Sequence, residues 1–308
     1  MLLNDFFSTQ LLSWPLAADN YHALGGVRLR RLDYCKYGIL VQFNPARIVS
    51  SGAKTDAASI ASRPCFLCAS NRPAGQKSLP TGDFELLVNP FPIFKPHFTI
   101  AHRDHTPQLL LPYIDRWLAM SAMMTGMALF YNGARCGASA PDHAHFQACS
   151  AKSLPIVNDY FAMRCMHTTM LEHYGTVEIR TIDGYLRHVI CIESDRAAEA
   201  AEAVVRIMAR LAATDTNQAS ALNSDCEPML NAVSLYADRR HYVWLFPRKA
   251  FRPWQYSADE PQRLIISPAT VEMAGLMITP VEDHFNRVNK ADIEDIYHQC
   301  SAGLEYLF

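Results

Sequence analysis

Runs of β-forming residues alternate with a few helical stretches along the first half of the chain. Residues 27–44 alternate loosely and predict one or two strands, and a loop rich in Ser, Ala and Gly follows at 45–62. The runs ELLVNPFPIF (85–94) and HFTIAHR (97–103) predict two more strands, which their prolines end or place at an edge. From 112 to 130 apolar residues recur at helical spacing, and Asn132-Gly133 supplies a stop.

The second half has a similar mixture. TVEIRTI (176–182) and YLRHVICIE (185–193) predict a hairpin around Asp183-Gly184, and Ser194-Asp195 caps an amphipathic helix with an apolar stripe from Ala197 to Leu211. A polar loop (214–227), strands at 229–237 and 241–249, and terminal helices from about 267 follow. Because strands outnumber helices but are interleaved with them, the fold class is α+β with mainly antiparallel sheet.

Two segments deserve comparison with one another and with their surroundings. KPHFTIAHRDH and RRHYVWLFPRK share a basic residue, a His and an apolar run, which suggests two copies of one βα unit, although any two strands look alike at this level. The segment PDHAHFQA (141–148) is predicted to be a strand. Its His143, His145 and Gln147 would then share one face, while Phe146 and its alanine neighbours belong to a core.

Composition narrows the function. The 308 residues are half hydrophobic, and 28 Lys+Arg stand against 30 Asp+Glu, so no global basic field favours nucleic acid. The chain shows neither a secretory signal nor an apolar run long enough for a membrane span, which predicts a cytoplasmic protein without membrane partners. Nine scattered cysteines predict reduced thiols. An anionic ligand must therefore be met by a local pocket.

A metal site is predicted around the RPCFLC segment. Cys65 and Cys68 have the spacing at which one tight turn brings two thiolates to one ion, and His105 and His143 downstream would complete a closed Cys2His2 set, typical of structural zinc. His97 and His102 compete for the third position. Two buried thiols, or a redox pair, are the alternatives.

A nucleophile is predicted at His145. A histidine attacks an electrophile when one ring nitrogen is held by an acceptor, and the Gln147 amide, on the same face, can donate to a phosphoryl oxygen. The preceding loop NGARCGAS (132–139) has small residues whose exposed N–H groups form an anion-binding nest. The alternative is a solvated polar face preceded by an ordinary helix cap and turn.

These residues resemble the histidine triad and galactose-1-phosphate uridylyltransferase superfamily. Asn132-Gly133, Gly137, Ser139, His143 and His145 follow the histidine triad segment with one extra residue before His143, and Gln147 replaces the final His. The string HAHFQA is most similar to the GDP-hexose phosphorylases, followed by the dinucleoside tetraphosphate phosphorylases. The resemblance implies two histidine-triad-like α+β modules: 1–172 with the catalytic and zinc sites, and 173–308 without the motif. It also favours His105 as the third metal ligand.

The resemblance further implies covalent catalysis. His145 would attack the α-phosphorus of a nucleoside diphosphate sugar or dinucleoside polyphosphate to give a nucleotidyl-histidine, and phosphate or a sugar phosphate would accept the nucleotidyl group. Residues implied to bind phosphate are Asn132, Gly137, Ser139 and Gln147, with Asn89 near the ribose and Arg248 complementing a phosphate charge.

Gln147 bears on the reaction, because a neutral amide cannot relay protons as a histidine can. It favours transfer or phosphorolysis over hydrolysis. A hydrolase of the same fold, and a zinc-stabilised nucleotide-binding protein without turnover, are the alternatives, and the protein is expected to be a monomer or a homodimer.

Overall fold

The computed structural model describes residues 3–48, 59–60, 62–214, 227–305 and 307–308. The helices of this part are α1 (Leu3–Ser13), α2 (Pro15–Ala23), α3 (Ile114–Met123), α4 (Pro155–Met163), α5 (Ala197–Thr214), α6 (Thr270–Met273), α7 (Glu282–Arg287) and α8 (Lys290–Cys300). The strands are β1 (Arg28–Asp33), β2 (Gly38–Phe43), β3 (Ser78–Thr81), β4 (Phe84–Val88), β5 (His97–His102), β6 (Met127–Asn132), β7 (His145–Ser150), β8 (Thr168–Tyr174), β9 (Val177–Ile182), β10 (Ile190–Ser194), β11 (Leu230–Ala237), β12 (Arg240–Pro247) and β13 (Leu276–Thr279).

Ten of these strands form one antiparallel sheet in the order β3-β4-β5-β7-β6-β11-β12-β10-β9-β8. A smaller sheet has the order β1-β2-β13, in which β13 runs parallel to β2. The α+β class with mainly antiparallel sheet is confirmed, and β13 joins the end of the chain to its beginning.

The order of strands repeats within the large sheet. The strands β3-β4-β5-β7-β6 of the first half are matched by β8-β9-β10-β12-β11 of the second, with α3 before β6 and α5 before β11. β6 and β11 meet at the centre. In this order β12 takes the place of β7, so the sequence echo that compared β12 with the strand now called β5 aligned the wrong pair.

The large sheet separates two cores. On one face Phe146 and Ala148 pack in a cluster with residues of α1, α3 and α5, including Trp117. On the other face Phe130 and Trp244 pack in a cluster with the small sheet, α4 and α8. His145 and Gln147 alternate with Phe146 and Ala148, and therefore belong to the face covered by the small sheet.

The helix predicted at 112–130 is the clearest error. α3 ends at Met123, Gly126 takes a positive φ of 79°, and 127–132 form the central strand β6, all six residues of which are buried. Phe130 faces one core and Leu129 the other. A strand buried on both faces is apolar throughout, so its residues satisfied a helical pattern as readily as a strand pattern.

The other predictions had mixed outcomes. The strands at 27–44, 85–103 and 229–249 are confirmed, whereas α1, α2, β3, β8 and β13 were not predicted. β9 and β10 pair as expected, with Gly184 at φ 69° in the connection. In α5, Ala201 and Val204 are buried but Ala197 is exposed. The predicted loops at 45–62 and 214–227 lie largely outside the described residues. Within the described chain, no helix combines the length and the apolar character that crossing a membrane requires.

Candidate active site and metal centre

Four side chains converge as predicted for the metal site. Sγ of Cys65 lies 3.3 Å from Nδ1 of His143, and Sγ of Cys68 lies 3.3 Å from Nδ1 of His105. The ligand atoms of these four residues all lie within 4.8 Å of one another. Two sulfurs and two imidazole nitrogens suit a tetrahedral ion with no open position. The group could therefore hold a metal ion.

The two histidines are oriented for this purpose from behind. Nε2 of His143 lies 2.8 Å from the backbone oxygen of His102, to which it donates, and this leaves the Nδ1 lone pair directed at the sulfurs. Nε2 of His105 lies 3.5 Å from a carboxylate oxygen of Asp142. Neither His97 nor His102 belongs to the cluster formed by the described residues. The competing ligand assignments therefore find no support.

PDHAHFQA is a strand only in part. β7 begins at His145, and His143 lies in the turn before it. The prediction that His143 shares a strand face with His145 is wrong, because the chain has to turn to deliver the His143 ring to the cysteines. His145 and Gln147 do share a face, paired with Ala101 and Thr99 of β5.

The ring of His145 is held with its outer nitrogen unengaged. Nδ1 lies 2.8 Å from the backbone oxygen of His143 and donates to it, so Nε2 carries the lone pair. Nε2 has no hydrogen-bond partner in the part of the chain that the structure describes. Burial lowers the pKa of His145 to about 4, so the ring is neutral near pH 7. A neutral imidazole with this tautomer is a competent nucleophile.

The Gln147 amide is oriented by His97, a residue whose role was not predicted. Nδ1 of His97 accepts from the backbone N–H of Ile93 (3.2 Å), so Nε2 carries the proton and donates to Oε1 of Gln147 (2.8 Å). Burial, reinforced by the charge of Arg47, lowers the pKa of His97 to about 3. Because the amide oxygen is occupied, the NH2 group of Gln147 is the part left to donate.

Asn132 is oriented in the same manner from the second half of the chain. The backbone N–H of Thr270 donates to Oδ1 of Asn132 (2.9 Å), which leaves its NH2 group without an acceptor among the described residues. Gly137 allows this contact, because its φ is 103° and a Cβ there would lie 2.5 Å from Cβ of Ala269. The loop after β6 thus packs directly on the segment that begins α6.

Ser139 and Asn89 are less engaged. Ser139 is exposed, and its backbone oxygen accepts from the guanidinium of Arg63 (2.9 Å). Nδ2 of Asn89 donates to the hydroxyl of Thr99 (3.2 Å), and its oxygen accepts from the backbone N–H of Phe91 (2.9 Å). Thr99 pairs with Gln147, so Asn89 lies beside the same face.

Arg248 has a structural environment. It is buried, and its five N–H groups are directed at Cys300 O (3.0 Å), Asn231 Oδ1, Pro268 O (2.9 Å), Ala250 O (3.0 Å) and Phe251 O (3.2 Å). No donor is left for a phosphate, so its phosphate-binding role would require these bonds to break. The contacts that engage it come from sequence-distant loops, which no spacing could have revealed.

Arg47 is a second cation near the site, and it was not predicted. One of its amino groups donates to the backbone oxygen of Phe91 (2.9 Å), in the turn that Asn89 organises. Its charge reaches both His97 and the buried Glu272. The signal was only a basic residue after a strand, which is usually solvated.

The site therefore combines a neutral imidazole, two oriented amide donors and an arginine beside a closed metal-ligand group. Such donors stabilise negative charge on a tetrahedral or metaphosphate-like centre, and the imidazole can bond to it. The arrangement suits attack on a phosphoryl group.

Comparison with known proteins agrees with the fold. Residues 6–150 match the model of a family described as a domain of unknown function (DUF4922). No curated protein matches the chain. The chain is structurally similar to the yeast Ap4A phosphorylase Apa2, with 14% identity, 93% of each chain covered and a TM-score of 0.58.

The structure of the same yeast enzyme in complex with AMP gives 14% identity, a TM-score of 0.57, and coverage of 94% of this chain and 96% of that one. A uridylyltransferase mutant is matched at 12% identity and a TM-score of 0.36, over 70% of this chain and 85% of that one. The similarity to Apa2 confirms, at the level of the fold, the superfamily that the motifs indicated.

Proposed function

We propose that the protein is a nucleotidyltransferase or phosphorylase that acts through a nucleotidyl-histidine on His145. The observation that carries the proposal is the pair of oriented amides: Gln147 and Asn132 each have the oxygen engaged by a partner and the NH2 group left to donate, beside the unengaged Nε2 of His145. Donors fixed before the substrate arrives need no reorganisation when charge develops.

In the first step Nε2 of His145 bonds to the α-phosphorus, and the bond from phosphorus to the bridging oxygen breaks, releasing a sugar phosphate or a nucleoside polyphosphate. In the second step an oxygen of phosphate or of a sugar phosphate bonds to phosphorus, and the P–N bond breaks. Arg47 offsets the added negative charge of the leaving group or acceptor, and Arg248 is left out because its donors are engaged. The leaving group departs as a phosphate, which needs no proton from Gln147.

The metal in this proposal is a structural zinc held by Cys65, Cys68, His105 and His143. It would fix the turn that precedes β7, and with it the backbone oxygen of His143 that orients the His145 ring. The ion takes no part in the chemistry, since four protein ligands leave no position for a substrate.

The proposal includes two histidine-triad-like modules. The repeated strand order supports it, while a boundary after residue 172 would cut β8, so the division is better drawn before Thr168. The substrates are a nucleoside diphosphate sugar or a dinucleoside polyphosphate. Binding of AMP by the structurally similar yeast enzyme supports a nucleotide ligand.

The test is a panel of α-³²P-labelled GDP-hexoses and dinucleoside tetraphosphates, each with phosphate, hexose 1-phosphate or no acceptor. We expect acid-labile, base-stable label on the wild-type protein, none on His145→Ala, and turnover that requires an acceptor. Equal turnover without any acceptor would identify a hydrolase. Nucleotide binding without label or turnover would identify a binding protein, and either result would overturn the proposal.

A further inference from the structure

The two central strands of the first half separate at the site. β6 and β7 are paired from Met127↔Ser150 to Phe130↔Gln147. Continued by two residues, this register would place Asn132 opposite His145, but β6 ends at Asn132 and β7 begins at His145. The residue proposed as nucleophile and one of the amide donors therefore stand on opposite sides of the point where the ladder opens.

The side chain of Gln108 fills this opening. It is 1% exposed, its Oε1 accepts from the backbone N–H of His145 (2.7 Å), and its Nε2 donates to the backbone oxygens of His145 (2.9 Å) and Asn132 (2.9 Å). The side-chain amide thus takes the place of a peptide group between the strands. It satisfies the backbone groups that the opening leaves unpaired, while keeping the strands one amide apart.

Gln108 is itself fixed at its backbone. Its N–H donates to Pro141 O (3.2 Å), and the Tyr131 hydroxyl lies 3.2 Å from its carbonyl oxygen. The same hydroxyl lies 2.9 Å from a carboxylate oxygen of Glu227, which also accepts from the backbone N–H of Leu111 (2.7 Å). The amide therefore cannot follow the strands if they move, and acts as a rigid spacer.

The corresponding strands of the second half do not open. β11 and β12 stay paired from Leu230↔Pro247 to Ala237↔Arg240, where the two-residue turn Asp238-Arg239 closes them. The opening is thus a local feature of the half that carries the His-x-His-x-Gln segment, and the fold does not require it.

We propose that Gln108 is a positioning residue that holds β6 and β7 apart and so sets the distance between the His145 ring and the Asn132 amide. The inference rests on the proposed function, because its catalytic effect appears in nucleotidyl transfer. Attack on phosphorus requires an aligned nucleophile and donor, and a misplacement of about 1 Å costs about 100-fold in rate. A shorter amide at position 108 should therefore slow the chemistry while leaving nucleotide binding nearly unchanged.

The test compares Gln108→Asn with Gln10→Asn. Gln10 is a matched control: it is fully buried, its oxygen accepts from the backbone N–H of Lys77 (2.5 Å), and its NH2 donates to Gly75 O (2.8 Å), in contact with α1 on the other face of the sheet. We expect Gln108→Asn to slow single-turnover adduct formation about 100-fold with nucleotide Kd within about threefold. Gln10→Asn should change the rate by less than about twofold at a comparable loss of Tm.

Equal rate losses in the two variants, or a parallel loss of rate and affinity in Gln108→Asn, would overturn the proposal. If Gln108→Asn does not fold, Gln108→Glu keeps the spacer length and the His145 acceptor while replacing the donor by an oxygen, and the same criteria apply. If the wild type forms no adduct with any nucleotide, the proposed function fails separately. Crystal structures then decide, since the Asn132–His145 backbone separation should shorten in Gln108→Asn, and an unchanged separation rejects the spacer.

Discussion

The two halves of the ten-stranded sheet share one strand order and differ in a single junction. Between β11 and β12 the ladder runs without interruption into a two-residue turn. Between β6 and β7 it opens after Phe130↔Gln147, and the chain makes a loop from 133 to 144 that contains a metal ligand, His143. The comparison teaches that the site comes from how one pair of strands is ended, and the fold itself supplies only the frame.

The second half still contributes to the site of the first. Thr270 holds the Asn132 amide, Ala269 packs on Gly137, and β13 pairs with β2 in the small sheet that covers the site face. A half that has no His-x-His-x-Gln segment can therefore remain necessary. It closes one side of the crevice and fixes a donor.

The largest expected effect breaks the comparison at the histidines that begin β7 and β12. His145→Ala should lower kcat/KM at least about 1000-fold, because no other group takes over the covalent bond to phosphorus. His241→Ala, in the strand that takes the place of β7, should leave kcat/KM within about threefold under conditions where both variants are folded. Steady-state turnover checks this, and comparable losses at the two positions would contradict the distinction between the halves.

Removal of a metal ligand should come next. Cys65→Ser should reduce bound zinc from about one ion per chain to near zero and lower Tm by roughly 10 °C, because the turn before β7 loses its tether. Cys191→Ser is the control, since Cys191 is equally buried but lies in β10 of the second half. Elemental analysis and calorimetry make the measurement. Retention of zinc by Cys65→Ser would reject the ligand set.

A smaller effect is expected for the amide beside the nucleophile. Gln147→Ala should lower kcat about 100-fold, in the range found when one fixed donor to a developing anion is removed. Ser150→Ala, at the other end of β7, should change kcat by no more than about twofold. Pre-steady-state kinetics can separate the two steps. A loss confined to KM would show that Gln147 binds the ground state and the transition state equally.

The smallest effect concerns the segment that the second half places over the site. Burial raises the pKa of Glu272 to about 7, against the Ala269 N–H and the charges of Arg47 and Arg248, which lower it. Between about pH 4.5 and 7 the folded carboxyl keeps its proton while the unfolded one loses it, so this residue's contribution to stability falls as pH rises.

Glu272→Gln removes this titration. Relative to wild type, the variant should gain about 2 kcal/mol in the free energy of unfolding between pH 5 and pH 8, measured by urea denaturation. Glu282→Gln, at an exposed glutamate of α7, should follow the wild type across this range. A constant difference between Glu272→Gln and wild type would show that Glu272 does not titrate in the window.

Local patterns in the sequence were sufficient for several features. The spacing of Cys65 and Cys68 requires a tight turn, and the alternation of His145, Phe146 and Gln147 separates a polar face from a core face. Both are consequences of geometry over a few residues. The strands of the second half were predicted on the same grounds.

Features that depend on distant partners were beyond the sequence. β6 read as a helix because burial on both faces erased its alternation, and Arg248 read as a ligand-binding cation although loops 20 to 52 residues away occupy its donors. His97 was considered only as a metal ligand, because nothing in its neighbourhood indicates that Gln147, 50 residues away, accepts from it.

The sequence by itself thus determined which residues carry the chemistry and which surfaces are apolar, because these follow from residue type and from periods of two to four residues. The tertiary structure alone decided how those residues are oriented: which nitrogen of His145 is unengaged, which end of each amide faces outward, and how far Gln108 holds β6 from β7. Orientation depends on hydrogen-bond partners brought together by the sheet, and a linear pattern contains no information about partners that only folding makes neighbours.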